Sequence, residues 1–265
     1  MSTATTTRIT TRRGLAADVV EFGTDGPPLV FLHGAGGHLA HEPMLETLGE
    51  SFHVYAPVWP GYGPDNTETA LEDMLDFTLH GWDVVDQLNL DRAPHLVGHS
   101  MGGMIAAEMA ALNPGSLDRL VLVASAGLWL DEHPITDIFA MLPFELAEVL
   151  FHDPVAGEKL LTAGQDFSSD GALTEFMVGN ARRLGTAGKI LFPIPNRRLS
   201  KRLYRITNPT LVLWGDDDRL IPPAYAAAFA EAIANVRLER LAECGHMIPH
   251  EQPAVAATLI KDFLA

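Results

Sequence analysis

Apolar positions along this chain fall into two alternating patterns. Short continuous apolar runs at residues 29–32, 52–58, 95–98, 120–124, 210–214 and 236–241 predict strands. Several have no polar face, as parallel strands covered by helices on both sides require. Residues 15–22, with 8–12 before them, predict an antiparallel pair at the N-terminal side. Between the strands the apolar spacing turns helical. Thr69-Ala70-Leu71-Glu72 has the form of a capping box, and Leu71, Met74, Leu75, Leu79, Trp82 and Val85 follow at helical intervals. Residues 101–112 predict a helix ending before Asn113-Pro114, and 225–233 and 254–264 predict two more. Such alternation specifies an α/β fold, with a mostly parallel eight-stranded sheet flanked by helices and right-handed crossovers.

One stretch departs from the rhythm. From about Leu128 to Arg205 no strand pattern occurs, only apolar sets at helical spacing: Ile135, Ile138, Phe139 and Leu142, then Leu173, Phe176 and Met177. The expected organisation is therefore a core of residues 1–127 and 206–265, with a helical cap of residues 128–205 inserted after strand six.

Chemistry enters at the strand ends. Gly98-His99-Ser100-Met101-Gly102 directly follows a predicted strand and opens a predicted helix, the context that G-x-S-x-G requires. A side chain at either glycine would collide with the turned backbone, while the turn lifts the Ser100 hydroxyl beside the positive end of the next helix. A serine nucleophile needs a base. His246, after the last predicted strand, lies at the sheet edge where ligands gather in open α/β sheets. The acid must fall between the two in chain order. Gly215-Asp216-Asp217-Asp218 offers three carboxylates, and spacing alone does not choose among them.

With the His33-Gly34-Ala35-Gly36 loop, Gly98 to Gly103, Trp214 to Arg219 and Gly245-His246, the chain resembles the α/β-hydrolase superfamily over nearly its whole length. The resemblance implies Ser100 as nucleophile, His246 as general base and Asp218, three residues after Gly215, as the acid. It implies an oxyanion hole from the backbone N–H groups of Ala35 and Met101, and a structural role for His33. Relatives that open epoxides or displace halide carry Asp where Ser100 stands. Serine instead implies acyl transfer on carboxylic esters or thioesters. A second branch cleaves carbon–carbon bonds in vinylogous diketo acids from aromatic ring fission and binds the substrate carboxylate with an arginine. Arg182 and Arg183 are the candidates here, although that branch commonly has Trp where Met247 follows His246. A third reading is a receptor that keeps the fold without catalysis; the complete Ser-His-Asp set argues against it.

The inserted segment supplies candidate pocket walls: Trp129, Phe139, Phe144, Phe151, Phe167, Phe176 and Phe192, with Trp129, Phe139 and Met247 singled out for substrate contact. Between Arg182 and Arg205 stand eight Lys and Arg residues and no Asp or Glu. The simplest expectation for this stretch is a basic cap surface that pairs with the acidic core or with another subunit.

The remaining features mostly exclude. The net charge of −16 argues against nucleic acid, which needs a basic footprint. Gly34-Ala35-Gly36 is not a dinucleotide loop, since the third glycine's place is held by Leu39. His33, His38, His41, His246 and His250 form no H-E-x-x-H or cysteine-histidine set, so neither metal nor cofactor is expected. Cys244 is the single cysteine, which rules out an internal disulfide. No apolar run suits a signal peptide or a bilayer span, so a cytoplasmic enzyme acting on a small ester or related carbonyl compound is expected.

Overall fold

A computed structural model describes residues 4–265 apart from 64–66, 68, 166, 168–170 and 195–197. Eight strands form one sheet: β1 (Thr5–Thr10), β2 (Ala16–Phe22), β3 (Pro28–Leu32), β4 (His53–Pro57), β5 (His95–His99), β6 (Leu120–Val123), β7 (Thr210–Gly215) and β8 (Val236–Leu241). Their order is β1-β2-β4-β3-β5-β6-β7-β8. Only the β1–β2 and β2–β4 pairings are antiparallel. β3, β5, β6 and β7 are buried along their whole length, which accounts for their unbroken apolar pattern. β8 lies at the edge and carries Arg237, Glu239 and Arg240, charges that discourage pairing with another sheet.

The core-packing helices are α1 (Pro43–Leu48), α2 (Met74–Gln87), α3 (Met101–Leu112), α7 (Ala224–Ala232), α8 (Ile248–Glu251) and α9 (Pro253–Leu264). α3 is buried nearly all round, between β5, β6 and α2, so its alanines and glycines leave room for close approach. The expected capping box at Thr69 does not form. α2 starts at Met74, and Asp73 caps it by accepting the Asp76 N–H at 3.0 Å. A carboxylate one turn later outcompetes the threonine, as the N-cap ranking favours Asp over Thr. α1 and α8 are too short to show helical periodicity.

Between β6 and β7 no strand occurs among the described residues. The chain there forms α4 (Leu146–Leu150), α5 (Pro154–Leu161) and α6 (Ala172–Leu191) with short 3-10 turns. The set Ile135, Ile138, Phe139 and Leu142 is not a helix; only Ile138–Ala140 makes a 3-10 turn. Leu173, Phe176 and Met177 lie on α6 as expected. The basic stretch is tied to the core: both Arg202 Nε and Nη2 meet the buried Glu108 carboxylate of α3, and Arg205 Nε donates to Ala111 O. Arg197 lies outside the described residues.

Strand order reverses between β3 and β5, since the crossover from β3 runs to β4 and the next returns past it. A crevice opens at such a switch point, outside the carboxyl ends of the strands. The 33–37 loop and Ser100 follow those two strands directly.

Candidate active site

Ser100 occupies the turn between β5 and α3 with φ 54° and ψ −117°. An ordinary residue avoids this conformation at a cost of about 1–3 kcal/mol, and it persists where the surroundings enforce it. The enforcement is visible: a Cβ on Gly98 would stand 2.3 Å from Gly102 O, and one on Gly102 would stand 2.0 Å from Leu32 O. Both positions therefore demand glycine.

His246 Nε2 lies 2.8 Å from Ser100 Oγ, and His246 Nδ1 lies 2.8 Å from Asp218 Oδ2. All three residues are buried. Asp218 Oδ1 accepts the N–H groups of Leu220 and Ile221 at 3.0 and 2.8 Å. These bonds hold the carboxylate so that its other oxygen faces the imidazole, which places the donor proton on Nδ1 and leaves Nε2 to accept from the serine. The neighbouring aspartates turn elsewhere. Asp216 pairs with Arg240 at 2.6 Å and Asp217 with His152 at 2.7 Å, both near solvent.

The 33–37 loop lies against the serine: a Cβ on Gly34 would be 3.3 Å from Ser100 Cβ. Ala35, next in the loop, lines the same cavity as Ser100. His33 is buried. Its Nδ1–H donates to Gly34 O at 2.8 Å and its Nε2 accepts from Trp59 N–H at 3.3 Å, a structural use of both nitrogens. Burial, and the neighbouring His38, push its pKa well below the ordinary value.

A cavity of about 160 Å³ opens above Ser100 and His246. Its walls are mostly apolar and include Phe139, Phe176 and Met247. Phe176 also packs against Phe144 and Phe167, with ring centroids 5.7 and 5.1 Å away. Two candidates are corrected. Trp129 does not line the cavity; its indole N–H donates to Asp131 at 2.7 Å. Leu128 takes the inward position, and successive residues of an extended segment point opposite ways. Arg182 also lies outside the lining, whereas Arg183 is part of it. Phe176, Asn180, Arg183 and Leu191 share the inward face of α6, and Arg182 stands about 100° around the helix from Arg183. Burial lowers the pKa of Arg183, with Tyr62 beside it acting the other way.

Sequence reasoning missed the groups that hold His246. His99 Nε2–H donates to the His246 carbonyl at 2.9 Å, and burial depresses the His99 pKa to about 3, so the ring stays a neutral donor. Leu150 O, at the end of α4, accepts both the His246 and Met247 N–H groups at 2.8 and 3.1 Å. Glu251 accepts Gly245 N–H at 2.9 Å and His152 N–H at 2.6 Å. Gly245 is needed here, because a Cβ would stand 2.8 Å from both His152 N and Leu150 O. The five-residue spacing from His246 to Glu251 was a readable signal; a backbone carbonyl such as that of Leu150 leaves none.

Among the described residues no group of three or more His, Cys, Asp and Glu is arranged to hold a metal, and no helix is long and apolar enough to cross a membrane.

Known proteins show the same framework. Bovine monoacylglycerol lipase ABHD6 is 28% identical over 90% of this chain and 75% of its own length. The 2-hydroxymuconate semialdehyde hydrolase of a Pseudomonas strain is 29% identical over 91% and 87%. Among solved structures, a membrane phospholipase A superposes with TM-score 0.81 at 23% identity, covering 98% of this chain and 86% of the phospholipase. A 2-hydroxy-6-oxo-6-phenylhexa-2,4-dienoate hydrolase from a Rhodococcus species gives 0.77 at 19%, covering 100% and 99%. The sequence model of the alpha/beta hydrolase family matches residues 29–259, and the chain belongs to that family.

Proposed function

We propose that this hydrolase cleaves carboxylic esters or thioesters through an acyl-enzyme on Ser100. The observation that carries the reading is the buried relay from Ser100 Oγ through His246 to Asp218, two contacts of 2.8 Å each, at the floor of an apolar cavity. In this reading His246 Nε2 takes the hydroxyl proton as Oγ attacks the substrate carbonyl. The negative charge that develops on the carbonyl oxygen meets the backbone N–H groups of Ala35 and Met101, each worth about 3 kcal/mol in comparable sites. Nε2 then delivers the proton to the departing alcohol or thiol. Water, deprotonated by the same nitrogen, releases the acid and restores the serine. Asp218, bonded to His246 Nδ1, orients the ring and stabilises the imidazolium. Residues 128–205 serve as the cap whose Phe139 and Phe176 shape the acyl pocket.

Arg183 favours a second reading. A guanidinium in a mostly apolar cavity suits a substrate carboxylate, the group carried by the diketo acids that carbon–carbon hydrolases cleave. Met247 in place of tryptophan argues the other way. The test is turnover of p-nitrophenyl esters and thioesters of several chain lengths beside ring-fission diketo acids. Ester turnover lost in Ser100→Ala supports the first reading, and turnover of diketo acids alone supports the second. Failure of a fluorophosphonate to label Ser100 would overturn both and leave a binding protein.

A further inference from the structure

The cavity that holds Ser100 has a second polar pole that the proposed chemistry does not use. Glu42 lines it while only 7% exposed. A carboxylate so placed needs compensation, and it is incomplete here. Oε1 accepts Leu39 N–H at 2.8 Å. Oε2 accepts no hydrogen bond among the described residues; His250 Nε2 stands 3.6 Å away, too long for one. His38 Nδ1 lies 3.4 Å from Oε1 without hydrogen-bond geometry. The Nδ1 atoms of His38 and His250 are both buried and without a hydrogen-bond partner. His250 lines the cavity too. Its burial outweighs the attraction of Glu42 and lowers its pKa, so at neutral pH it is a neutral ring with one N–H and one lone pair. Those two Nδ1 atoms are closed off by the protein, so what this pole offers a ligand is the unpaired Glu42 Oε2 beside His250 Nε2.

We propose that Glu42 and His250, backed by His38, form a subsite for a hydroxyl group on the substrate. The class follows by elimination. A substrate carboxylate would meet the Glu42 charge at close range in a low-dielectric pocket. An alkyl group would leave that charge desolvated and unpaired. An ammonium group would satisfy Glu42 but would share the cavity with the Arg183 guanidinium. A hydroxyl is neutral, donates to Oε2 and accepts from a histidine N–H. With Glu42 Oε2 and His250 Nε2 3.6 Å apart, an oxygen about 2.8 Å from both would see them about 80° apart, tighter than the tetrahedral angle, so the two side chains would part slightly to hold it. Glu42 ends the segment that begins with the 33–37 loop, so the subsite lies on the oxyanion-loop side of the cavity.

The assignment rests on the ester reading for turnover but not for binding, which keeps the two separable. The enzyme would be given p-nitrophenyl 6-hydroxyhexanoate against the hexanoate, and 2-hydroxyethyl butyrate against propyl butyrate. One hydroxylated member should be preferred about tenfold in kcat/KM, the scale of one good hydrogen bond. That preference ratio should collapse to about one in Glu42→Leu. Glu42→Gln, which retains an acceptor for Leu39 N–H and so guards against misfolding, should keep only part of it. Calorimetric binding of the same pairs to Ser100→Ala reads the subsite without chemistry. If no ester is turned over but Ser100→Ala binds the hydroxylated member more tightly, the ester reading falls and the subsite stands. Equal affinities within both pairs would overturn the subsite whatever the turnover. Tighter binding of p-nitrophenyl 6-aminohexanoate than of the 6-hydroxy ester would overturn the hydroxyl assignment in favour of a cation.

Discussion

Removing the Glu251 carboxylate should damage turnover more than substrate binding. In Glu251→Ala the N–H groups of Gly245 and His152 lose their acceptor. The Gly245 donor is part-buried and costs about 1–3 kcal/mol when left without a partner, whereas the His152 donor is exposed and water can take the place of the carboxylate, so the gross loss is about 1–3 kcal/mol. Part is returned. Burial raises the Glu251 pKa above its ordinary value despite the hydrogen bonds it accepts. The native state therefore binds this proton more tightly than the unfolded chain. Ionisation counts against the fold as pH rises through the raised pKa, so at neutral pH the carboxylate carries a desolvation cost that alanine removes. A net loss of about 1–2 kcal/mol results for Ala. Glu251→Gln keeps one acceptor and no charge, and should lose about 1 kcal/mol. The kinetic effect is different in kind. Gly245 adjoins His246, and Glu251 does not line the cavity. A displacement of the imidazole by about 1 Å can cost about 100-fold in rate. Urea unfolding with kcat and KM on a p-nitrophenyl ester would measure both; even the glutamine variant should show kcat down about tenfold or more with KM little changed. Wild-type kcat and stability in Glu251→Ala would refute the argument.

Ser100→Ala and His246→Ala should each abolish ester turnover in a folded protein, because the pair acts as a unit; circular dichroism and product release check this. Asp218→Asn should lower kcat by about 10⁴-fold, the scale of the corresponding change in a serine protease, and Asp216→Asn and Asp217→Asn far less. A crippled Asp217→Asn enzyme would reassign the acid. Arg183→Met should weaken kcat/KM for an acidic substrate by about 1.5–3 kcal/mol relative to a matched neutral ester, while Arg182→Met treats the pair alike; parallel losses on both substrates in Arg183→Met would leave Arg183 as a wall residue only.

The frame of this site was legible because its signals are steric and periodic. Gly98 and Gly102 are forced by contacts closer than any Cβ tolerates, and the unbroken apolar runs of β3, β5, β6 and β7 follow from burial on both faces. What stayed hidden depends on direction. Arg182 and Arg183 are alike in sequence and differ only by a rotation on α6. Trp129 is a larger hydrophobe than Leu128, yet the chain turns Leu128 inward. Histidine shows the point most fully, because eleven identical side chains became several different groups. Burial holds His99 at about 3 and His80 at about 4, and also lowers His95 and His250. In the unfolded chain each protonates near ~6.5. Below that pH the unfolded state binds more protons, so the fold loses about 1.4 kcal/mol per pH unit for each histidine kept neutral. His80 and His99 alone then withdraw about 4 kcal/mol by pH 5, a large share of the stability of an ordinary domain. Asp76, whose pKa is lowered by its bonds to Glu72 N–H and Arg13, contributes stability that is lost only as pH falls through the ordinary carboxylate pKa to its own lowered one. The two causes therefore act in different windows. Thermal unfolding measured from pH 8 to 4.5 should show Tm falling from about pH 6.5 downward. His80→Leu, at a site where Nδ1 has no partner, should flatten that slope by about one proton. A Tm constant from pH 7 to 5 would mean that these rings are not kept neutral by the fold.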